Sequence, residues 1–195
     1  MVRHEALSAV VEVSSTPDGL HAVDMMRSNA ARRRTRQSLR EGSVIASGPM
    51  TIEDRALDPS RPHAAKHVRQ YLESDGSAVD HPAAGHLILL YTTGRASGEI
   101  RRTPLRFFEV DGDLVVAASY GGSPQHPDWY LNLVEDPKVC VRRDADLYEA
   151  DAIPIDRADR DRLWDTVVVR TAPQFGDYQQ KTERVIPLVR LVARS

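Results

Sequence analysis

Three strand-like runs joined by two turns occupy residues 87–119, LILLYTTGRASGEIRRTPLRFFEVDGDLVVAAS. The first run, Leu87–Thr93, is apolar and β-branched, which is typical of a buried strand. Thr103–Val110 and Leu114–Ser119 are the second and third runs, and the Asp111-Gly112 pair between them is a strong hairpin signal. The segment therefore predicts neighbouring antiparallel strands.

The flanking sequence adds three helices and three strands to this unit. Apolar residues recur at helical spacing and at strand spacing in separate segments, which are helices at 62–74, 127–135 and 156–169 and strands at 139–142, 147–153 and 186–192. About six strands with two or three flanking helices predict an α+β fold, a closed or nearly closed antiparallel barrel.

The amino-acid composition limits the classes of protein to which the chain can belong. A chain of 195 residues with 41% hydrophobic and 28% charged residues is typical of one globular domain with an appendage. The net charge of -2 provides no general attraction to nucleic acid, so we expect no nucleic-acid partner. The single cysteine, Cys140, excludes an intramolecular disulfide, and its apolar neighbours predict a core residue rather than a nucleophile.

The chain divides into three predicted regions. Residues 1–49 contain no Phe, Trp or Tyr and predict a poorly ordered extension, whose basic run 32–36 suits weak peripheral contact with a membrane surface. Residues 50–84 predict a helix and linker, and residues 85–195 the barrel domain. No secretory signal is visible, so we expect a cytoplasmic protein, with the inner face of the cell membrane as the alternative location.

Several common catalytic chemistries have no support in the sequence. The chain contains no phosphate-binding P-loop, no G-x-S-x-G nucleophile elbow and no H-E-x-x-H zinc motif, and its seven histidines are scattered. Gly121-Gly122 does not open a βαβ unit, so it is not a dinucleotide fingerprint. Hydrolase and metal chemistry are therefore not predicted.

The loop that follows the first strand has the composition of an anion site. Residues 92–105 combine two glycines, which let backbone N–H groups approach a ligand, with Arg95, Arg101 and Arg102, whose guanidinium groups bind phosphate or carboxylate in pairs of hydrogen bonds. An ordinary basic hairpin would have the same composition, and the residues alone leave the two interpretations open.

A second candidate wall for a ligand is formed by residues 117–122 and 126–133. The small residues at the end of the third strand leave room for a flat ring against the backbone. Core packing is the alternative for Trp129 and Tyr130, and Asn132 suits a cap or a bridge to a neighbouring loop.

In combination, these motifs resemble the deazaflavin-dependent nitroreductase family. The resemblance covers roughly residues 85–193 and rests on several motifs in the same order and spacing, which are TTGRxSG at 92–98, RxxPL at 101–105, AASxGG at 117–122, HPxWYLNL at 126–133 and the Asp177 to Pro187 tail. It implies a split β-barrel that binds coenzyme F420, a deazaflavin with a polyanionic tail.

The resemblance also implies which residues form the site. Arg95, Ser97 and Arg101 fall where the family holds the phosphate and acidic tail. The full implied cofactor set is Thr93, Gly94, Arg95, Ser97, Arg101, Arg102, Pro104, Ala118, Ser119, Gly121, Gly122, Trp129 and Asn132, and the implied catalytic residues are Tyr178 and Ser119. The implied reaction is hydride transfer from reduced F420 to a quinone or a nitroaromatic acceptor, by a monomer or a homodimer.

Three departures from the family pattern leave alternatives open. Ala96 stands where the family often has a lysine, and Tyr120 where some members have a basic residue. Tyr178 is the one tyrosine that remains where studied members have several, since Ala172 and Phe175 occupy the other positions. The weaker cation count suits FMN as an alternative cofactor, and a deazaflavin carrier without enzymatic activity is the third hypothesis.

Overall fold

Six strands and six helices are present in the described part of the chain, residues 50–194 of a computed structural model. The predicted extension 1–49 lies outside these residues. The strands are β1 (Leu87–Thr93), β2 (Ile100–Val110), β3 (Asp113–Ala117), β4 (Lys138–Arg143), β5 (Asp146–Pro154) and β6 (Leu188–Ala193). The helices are α1 (Ile52–Arg55), α2 (Pro62–Ser74), α3 (Asp128–Glu135), α4 (Arg157–Leu163), α5 (Val169–Thr171) and α6 (Gln174–Gln180).

The strands close into one antiparallel barrel in the order β1-β2-β3-β6-β5-β4. Because the barrel is closed, most strand residues have a hydrogen-bonded strand on each side. Small antiparallel barrels avoid unpaired backbone groups in this way. The predicted α+β fold with a six-stranded antiparallel barrel is confirmed.

Three apolar clusters hold the structure together. One fills the barrel interior and includes Ile88, Val116 and Val189. The second lies between the outer face of β2 and β3 and the helices α4 to α6, and the third packs α2 against β1. The outer face of β1 is therefore covered, which explains why Leu87–Tyr91 are all buried and the strand reads as a continuous apolar run.

The first half of β2, residues 100–105, has one edge that β3 does not cover. β1 pairs with β2 over Ile100–Arg106, but β3 pairs with it only from Phe107 onward. Leu57 fills part of the gap: its N–H donates to the Ile100 carbonyl at 2.8 Å, and its carbonyl accepts from the Arg102 N–H at 3.1 Å. This pairing brings residues 57–64 alongside the part of the barrel where the anion site was predicted.

Ionic contacts fasten α1 to the barrel. Glu53 Oε1 accepts a hydrogen bond from the Tyr91 hydroxyl at 3.0 Å and one from Arg142 Nη1 at 2.6 Å. Arg142 also donates to Asp75 at the end of α2. Burial and the nearby Glu53 carboxylate raise the pKa of Tyr91, so this hydroxyl remains a hydrogen-bond donor throughout the physiological range.

The structure differs from the sequence prediction in a few boundaries. β2 begins at Ile100, so Arg101 and Arg102 belong to the strand rather than to the loop before it, and β3 ends at Ala117, two residues before the predicted end. α1 and α6 had no clear periodic signal because they are only 4 and 7 residues long. A π-helical turn, Trp164–Val168, interrupts the predicted long helix. Within the described residues, no helix is long and apolar enough to cross a membrane.

Candidate active site

An open cavity of about 500 Å³ lies at the uncovered edge of β2. Its walls come from β2, from residues 57–64, from the turn after β3 and the start of α3, and from α6. Among the residues predicted from sequence, it brings together Arg101, Arg102, Pro104, Ser119, Gly121, Trp129 and Tyr178. Its volume is in the range of small-molecule sites.

The arginines of this cavity differ in their partners. Arg101 pairs with Glu99 at 2.9 Å, and Arg102 pairs with Asp58 at 2.5 Å. Arg61, which the sequence analysis did not select, donates from Nη2 to the Tyr120 hydroxyl at 2.6 Å, and its guanidinium lies 4.5 Å from the Tyr120 ring centroid. Within residues 50–194, no carboxylate lies within 4 Å of the Arg61 guanidinium.

Arg95 is outside the cavity lining but is tied to it. The buried Asn132 accepts from the Arg95 backbone N–H and from its Nη1, both at 3.1 Å, and donates to the Thr92 hydroxyl. The Arg95 guanidinium also pairs with Asp128, which lines the cavity. Asn132 therefore bridges α3 to the loop after β1, and all of its side-chain polar atoms are engaged in that bridge.

The remaining residues of the predicted set also lie outside the cavity lining. The turn after β1 holds Gly94, whose N–H donates to the Glu99 carbonyl, and Ser97, whose hydroxyl accepts from the Glu99 N–H. Thr93 lines a smaller cavity of about 130 Å³ on the β4 side, and Ala118 is fully buried. A Cβ atom at Gly122 would lie 2.6 Å from the Tyr178 carbonyl oxygen, so this glycine permits α6 to approach the turn.

Arg184 supports the wall that carries Ser119 and Gly121, and the sequence analysis missed it. Its guanidinium donates to three backbone carbonyls, those of Ala118 at 3.1 Å, Ser119 at 2.9 Å and Ser123 at 2.8 Å. One side chain thereby donates to three carbonyls of this wall, of which that of Ser119 also accepts from the Gly122 N–H. Burial lowers the pKa of Arg184, but the guanidinium stays charged because its pKa is far above neutral pH.

A second network holds the segment that contains Arg184. Gln179 Oε1 accepts from Arg160 Nη2 at 2.8 Å and from the Ile186 N–H at 3.0 Å, and Gln179 Nε2 donates to the Arg184 carbonyl. Arg160 is 6% exposed and lies over the Trp164 ring at 4.1 Å. Burial and the charge of Arg184 lower the pKa of His126, which keeps this imidazole neutral beside the guanidinium.

Cysteine and metal chemistry have no geometric support here. Cys140 is half-buried, and burial, with a smaller effect of Glu149, raises the pKa of its thiol, which disfavours the reactive thiolate. In the part of the chain that the structure describes, no three His, Cys, Asp or Glu side chains are grouped to hold a metal ion.

Comparison with known proteins identifies the family. The sequence profile of the F420H(2)-dependent quinone reductases matches residues 63–193. An F420H(2)-dependent quinone reductase of Mycobacterium tuberculosis is 37% identical over 116 residues, which are 58% of this chain and 77% of the relative. A second M. tuberculosis relative is 32% identical over 107 residues, 55% of this chain and 89% of its own length. The chain belongs to the F420H(2)-dependent quinone reductase family.

Solved structures resemble the chain as well. One, described as a domain-swapped dimer, is 26% identical, covers 85% of this chain and 98% of its own, and superposes with a TM-score of 0.51. Another, an F420-H2 dependent reductase, is 34% identical over 54% of this chain and 93% of its own, with a TM-score of 0.49.

Family membership confirms the predicted enzyme class, the coenzyme and one predicted acceptor. The protein is an oxidoreductase that uses reduced F420 to reduce a quinone. The two alternatives, FMN as cofactor and a carrier without activity, have no support from this assignment.

The cavity fits the coenzyme of this quinone reductase family by the chemistry of its donors. Three arginines, Arg61, Arg101 and Arg102, line it and provide the forked donors that phosphate and carboxylate oxygens accept. Gly121 has a φ of 65°, and a Cβ atom there would have no neighbour within 4 Å, so open space lies against the backbone of this wall. A polyanionic tail with a flat ring system is compatible with both features.

Two parts of the site were invisible to sequence reasoning. Residues 57–64 gave no motif, because their role comes from pairing with β2 rather than from their own pattern. Arg184 follows α6 in the sequence and resembles the other arginines of the chain. Its role becomes visible only in the fold, where backbone carbonyls converge on its guanidinium.

Proposed function

We propose that reduced F420 binds in the cavity at the uncovered edge of β2 and that the quinone binds at its Tyr178 end. The observation that carries the proposal is the convergence of separate chain segments on one cavity, whose lining combines three arginines with Ser119, Gly121, Trp129 and Tyr178. This combination suits a ligand that has an anionic tail and a flat ring.

The arginines hold the anionic tail. Arg101 and Arg102 are kept in position by Glu99 and Asp58, so their side-chain entropy is already reduced before a ligand arrives. Arg61 is the additional cation, since it lies directly over Tyr120, the position where some relatives have a basic residue. It offsets the cations that are missing at Ala96 and Tyr120.

The turn after β3 and the start of α3 hold the ring system. When bound, reduced F420 supplies a hydride, and with it an electron pair, to the acceptor. Pro104, Ala117 and Gly121 give a wall with little side-chain bulk, and Trp129, 7% exposed, closes it from α3. The Ser119 hydroxyl and the nearby backbone N–H groups of this turn stabilise the ring carbonyls. The Arg184 contacts fix the backbone that carries these groups.

Tyr178 acts on the acceptor. It is half-buried, it packs edge-on against Phe175 with ring centroids 5.5 Å apart, and its hydroxyl makes no hydrogen bond to another described residue. The hydroxyl is therefore available to donate to a quinone oxygen as negative charge develops there. Phe175, packed on Phe108 and Trp164, positions the Tyr178 ring.

A nitroaromatic is a second acceptor by the same reasoning, because it is flat and also places negative charge on oxygen. We further propose a monomer or a homodimer in the cytoplasm. The domain-swapped dimer among the similar structures supports the second of these. Weak contact of the basic run 32–36 with the inner face of the cell membrane would bring the enzyme to lipid-soluble quinones. No nucleic-acid partner is proposed.

The test is titration of the purified protein with reduced F420, followed by menadione, while the absorbance of oxidised F420 returns. We expect Tyr178→Phe to lower menadione turnover about tenfold or more, because one hydrogen bond to developing charge is lost, and to leave F420 affinity within about twofold. Trp129→Leu, on the opposite wall, should instead weaken F420 binding. Unchanged turnover in Tyr178→Phe would remove Tyr178 from the mechanism, and unchanged F420 affinity in Trp129→Leu would place the ring elsewhere.

A further inference from the structure

A second cavity, of about 390 Å³, lies beside the other half of β2. Its walls are β2 from Arg106 to Glu109, the turn before β1, Arg143 at the end of β4, and Val167 and Thr171 from the helices that cover the barrel. It shares no lining residue with the cavity at the uncovered edge of β2, the proposed F420 site, which is called the F420 cavity below. The proposed F420 site therefore makes no use of it.

Arg106 projects a cation into this cavity without a matching anion. Its Nε is buried and has no hydrogen-bond partner in the described part of the chain. Its one side-chain hydrogen bond to the described residues is a long one from Nη2 to the Thr171 carbonyl, at 3.5 Å, and its guanidinium lies 5.6 Å from the Phe108 ring centroid. No carboxylate among residues 50–194 lies within 4 Å. The unpartnered donor is the only buried side-chain nitrogen or oxygen in the described residues with this property.

The other charged groups of the cavity are already neutralised. Arg143 pairs with Glu109 at 2.6 Å and lies over the Phe107 ring at 4.9 Å. His86 lies edge-on to Phe107 with ring centroids 5.9 Å apart. Arg106 therefore remains without a counter-charge. Its positive charge is one cause, after burial and His67, of the lowered pKa of His81.

Leaving a guanidinium half-buried with a free donor is costly, because the group has lost water and gained no anion. An anion bound at the accessible end of the guanidinium supplies the missing counter-charge. A carboxylate matches the planar fork of a guanidinium better than other small anions, since two parallel hydrogen bonds can form. The apolar part of the lining on the Arg106 side of β2, Phe108 and Val167, favours a ligand whose body is flat and apolar.

We propose that the Arg106 cavity is a binding site for a small aromatic carboxylate. The carboxylate accepts from the terminal Nη1 and Nη2 of Arg106, and the ring lies against Phe108 and Val167. Because this site is separate from the F420 cavity, its occupation does not require the cofactor, and the proposal stands apart from the residue roles proposed for hydride transfer.

The test is isothermal titration of the full-length, cofactor-free protein with 2-naphthoate, compared with its neutral amide, 2-naphthamide, and with inorganic phosphate. We expect 2-naphthoate to bind about tenfold or more tightly than either, because the charge-assisted bonds need a carboxylate and the cavity needs an apolar body. Equal binding of the amide would overturn the role of the cation, and preferential binding of phosphate would overturn the organic ligand.

Two variants sharpen the test. Arg106→Met keeps the length and apolar stem of the side chain and should lose 2-naphthoate affinity about tenfold or more. Arg170→Met is the matched control, because Arg170 is exposed on α5 and outside the cavity lining. It should retain the affinity of the unmodified protein. Equal affinity in all three proteins would overturn the proposal.

Thermal unfolding guards against a folding defect. Arg106→Met should melt at the same temperature as the unmodified protein or higher, since it removes an uncompensated charge. Saturating 2-naphthoate should raise the melting temperature of the unmodified protein and of Arg170→Met, and not that of Arg106→Met. A rise in all three would mean that the ligand binds elsewhere.

Discussion

The two halves of β2 carry the same residue type in opposite electrostatic situations. In the first half, Arg101 and Arg102 are each paired with a carboxylate and line the cavity that suits the anionic coenzyme. In the second half, Arg106 is half-buried, its Nε is buried, and it has no carboxylate partner among the described residues. The strand passes from one situation to the other within a few residues.

The difference arises from what covers each half. The first half is flanked by the polar segment 57–64, which brings Asp58 to Arg102. From Phe107 onward the second half is covered by β3, and helices with apolar inner faces lie over it. The Arg106 guanidinium therefore meets the Thr171 carbonyl and the Phe108 ring, and no carboxylate among the described residues. Paired arginines are positioned for an anion that displaces a carboxylate, whereas an unpaired one gains a partner only from a ligand.

The largest expected effect comes from disrupting the cavity beside the first half of β2. Arg184→Met removes the side chain that donates to three carbonyls of the Ser119 wall, and we expect it to cost about 2–4 kcal/mol of stability and about tenfold or more in F420 affinity. The measurements are chemical denaturation and titration with F420. The affinity of the Arg106 cavity for 2-naphthoate should stay within about twofold of that of the unmodified protein.

Arg162→Met is the matched control, because Arg162 is an exposed helix arginine whose pair with Asp159 is on the surface. It should leave the stability measured by chemical denaturation essentially unchanged. A similar loss in both variants would mean that the Ser119 wall does not depend on Arg184.

A smaller effect should separate two adjacent glycines of the same wall. Gly121→Ala and Gly122→Ala both place a side chain at positive φ, which costs about 1–2 kcal/mol. Gly122→Ala also drives its Cβ to 2.6 Å from the Tyr178 carbonyl oxygen, whereas Gly121→Ala meets nothing within 4 Å. We expect Gly122→Ala to be less stable than Gly121→Ala by about 1–3 kcal/mol in denaturation and to turn over menadione more slowly. Equal stability of the two variants would show that α6 moves away freely.

The smallest expected effect comes from replacing Arg61, which flanks the first half of β2 and has no carboxylate partner among the described residues. Arg61→Met should weaken F420 binding about threefold to tenfold at low salt, and the difference should shrink at 0.5 M salt because an exposed charge is screened. Arg55→Met is the control, since Arg55 is exposed and lies outside the F420 cavity. A loss that persists at high salt would indicate that Arg61 acts through its contact with Tyr120 instead.

Most of the fold could be predicted from the chain. The barrel strands are long enough to show their apolar and β-branched runs, and the Asp111-Gly112 turn joins two of them with little ambiguity. α2 was predicted with its observed bounds, because its apolar positions recur over 13 residues. The shorter α1 and α6 could not be found, since one or two turns provide too few repeats to establish a period.

The candidate site was only partly predictable. Arg101, Arg102, Ser119, Gly121 and Trp129 stand in motifs that also carry the family resemblance, and they meet in one cavity. Arg61 stands in no motif, and Arg184 lies in the Asp177 to Pro187 tail without being selected as a site residue. Each acquires its role from groups that are distant in sequence, the Tyr120 ring for one and the carbonyls of Ala118, Ser119 and Ser123 for the other.

The sequence by itself determined the strands, the turns that join them, the basic loop and the family, because these are written in residues close together along the chain. Tertiary structure alone decided which arginines are paired. The partner of an arginine is whichever carboxylate, carbonyl or ring the folded barrel brings within reach. Arg102 meets Asp58, 44 residues away, and Arg106 meets a carbonyl oxygen and an aromatic ring, because polar chain covers one half of β2 and apolar helices cover the other.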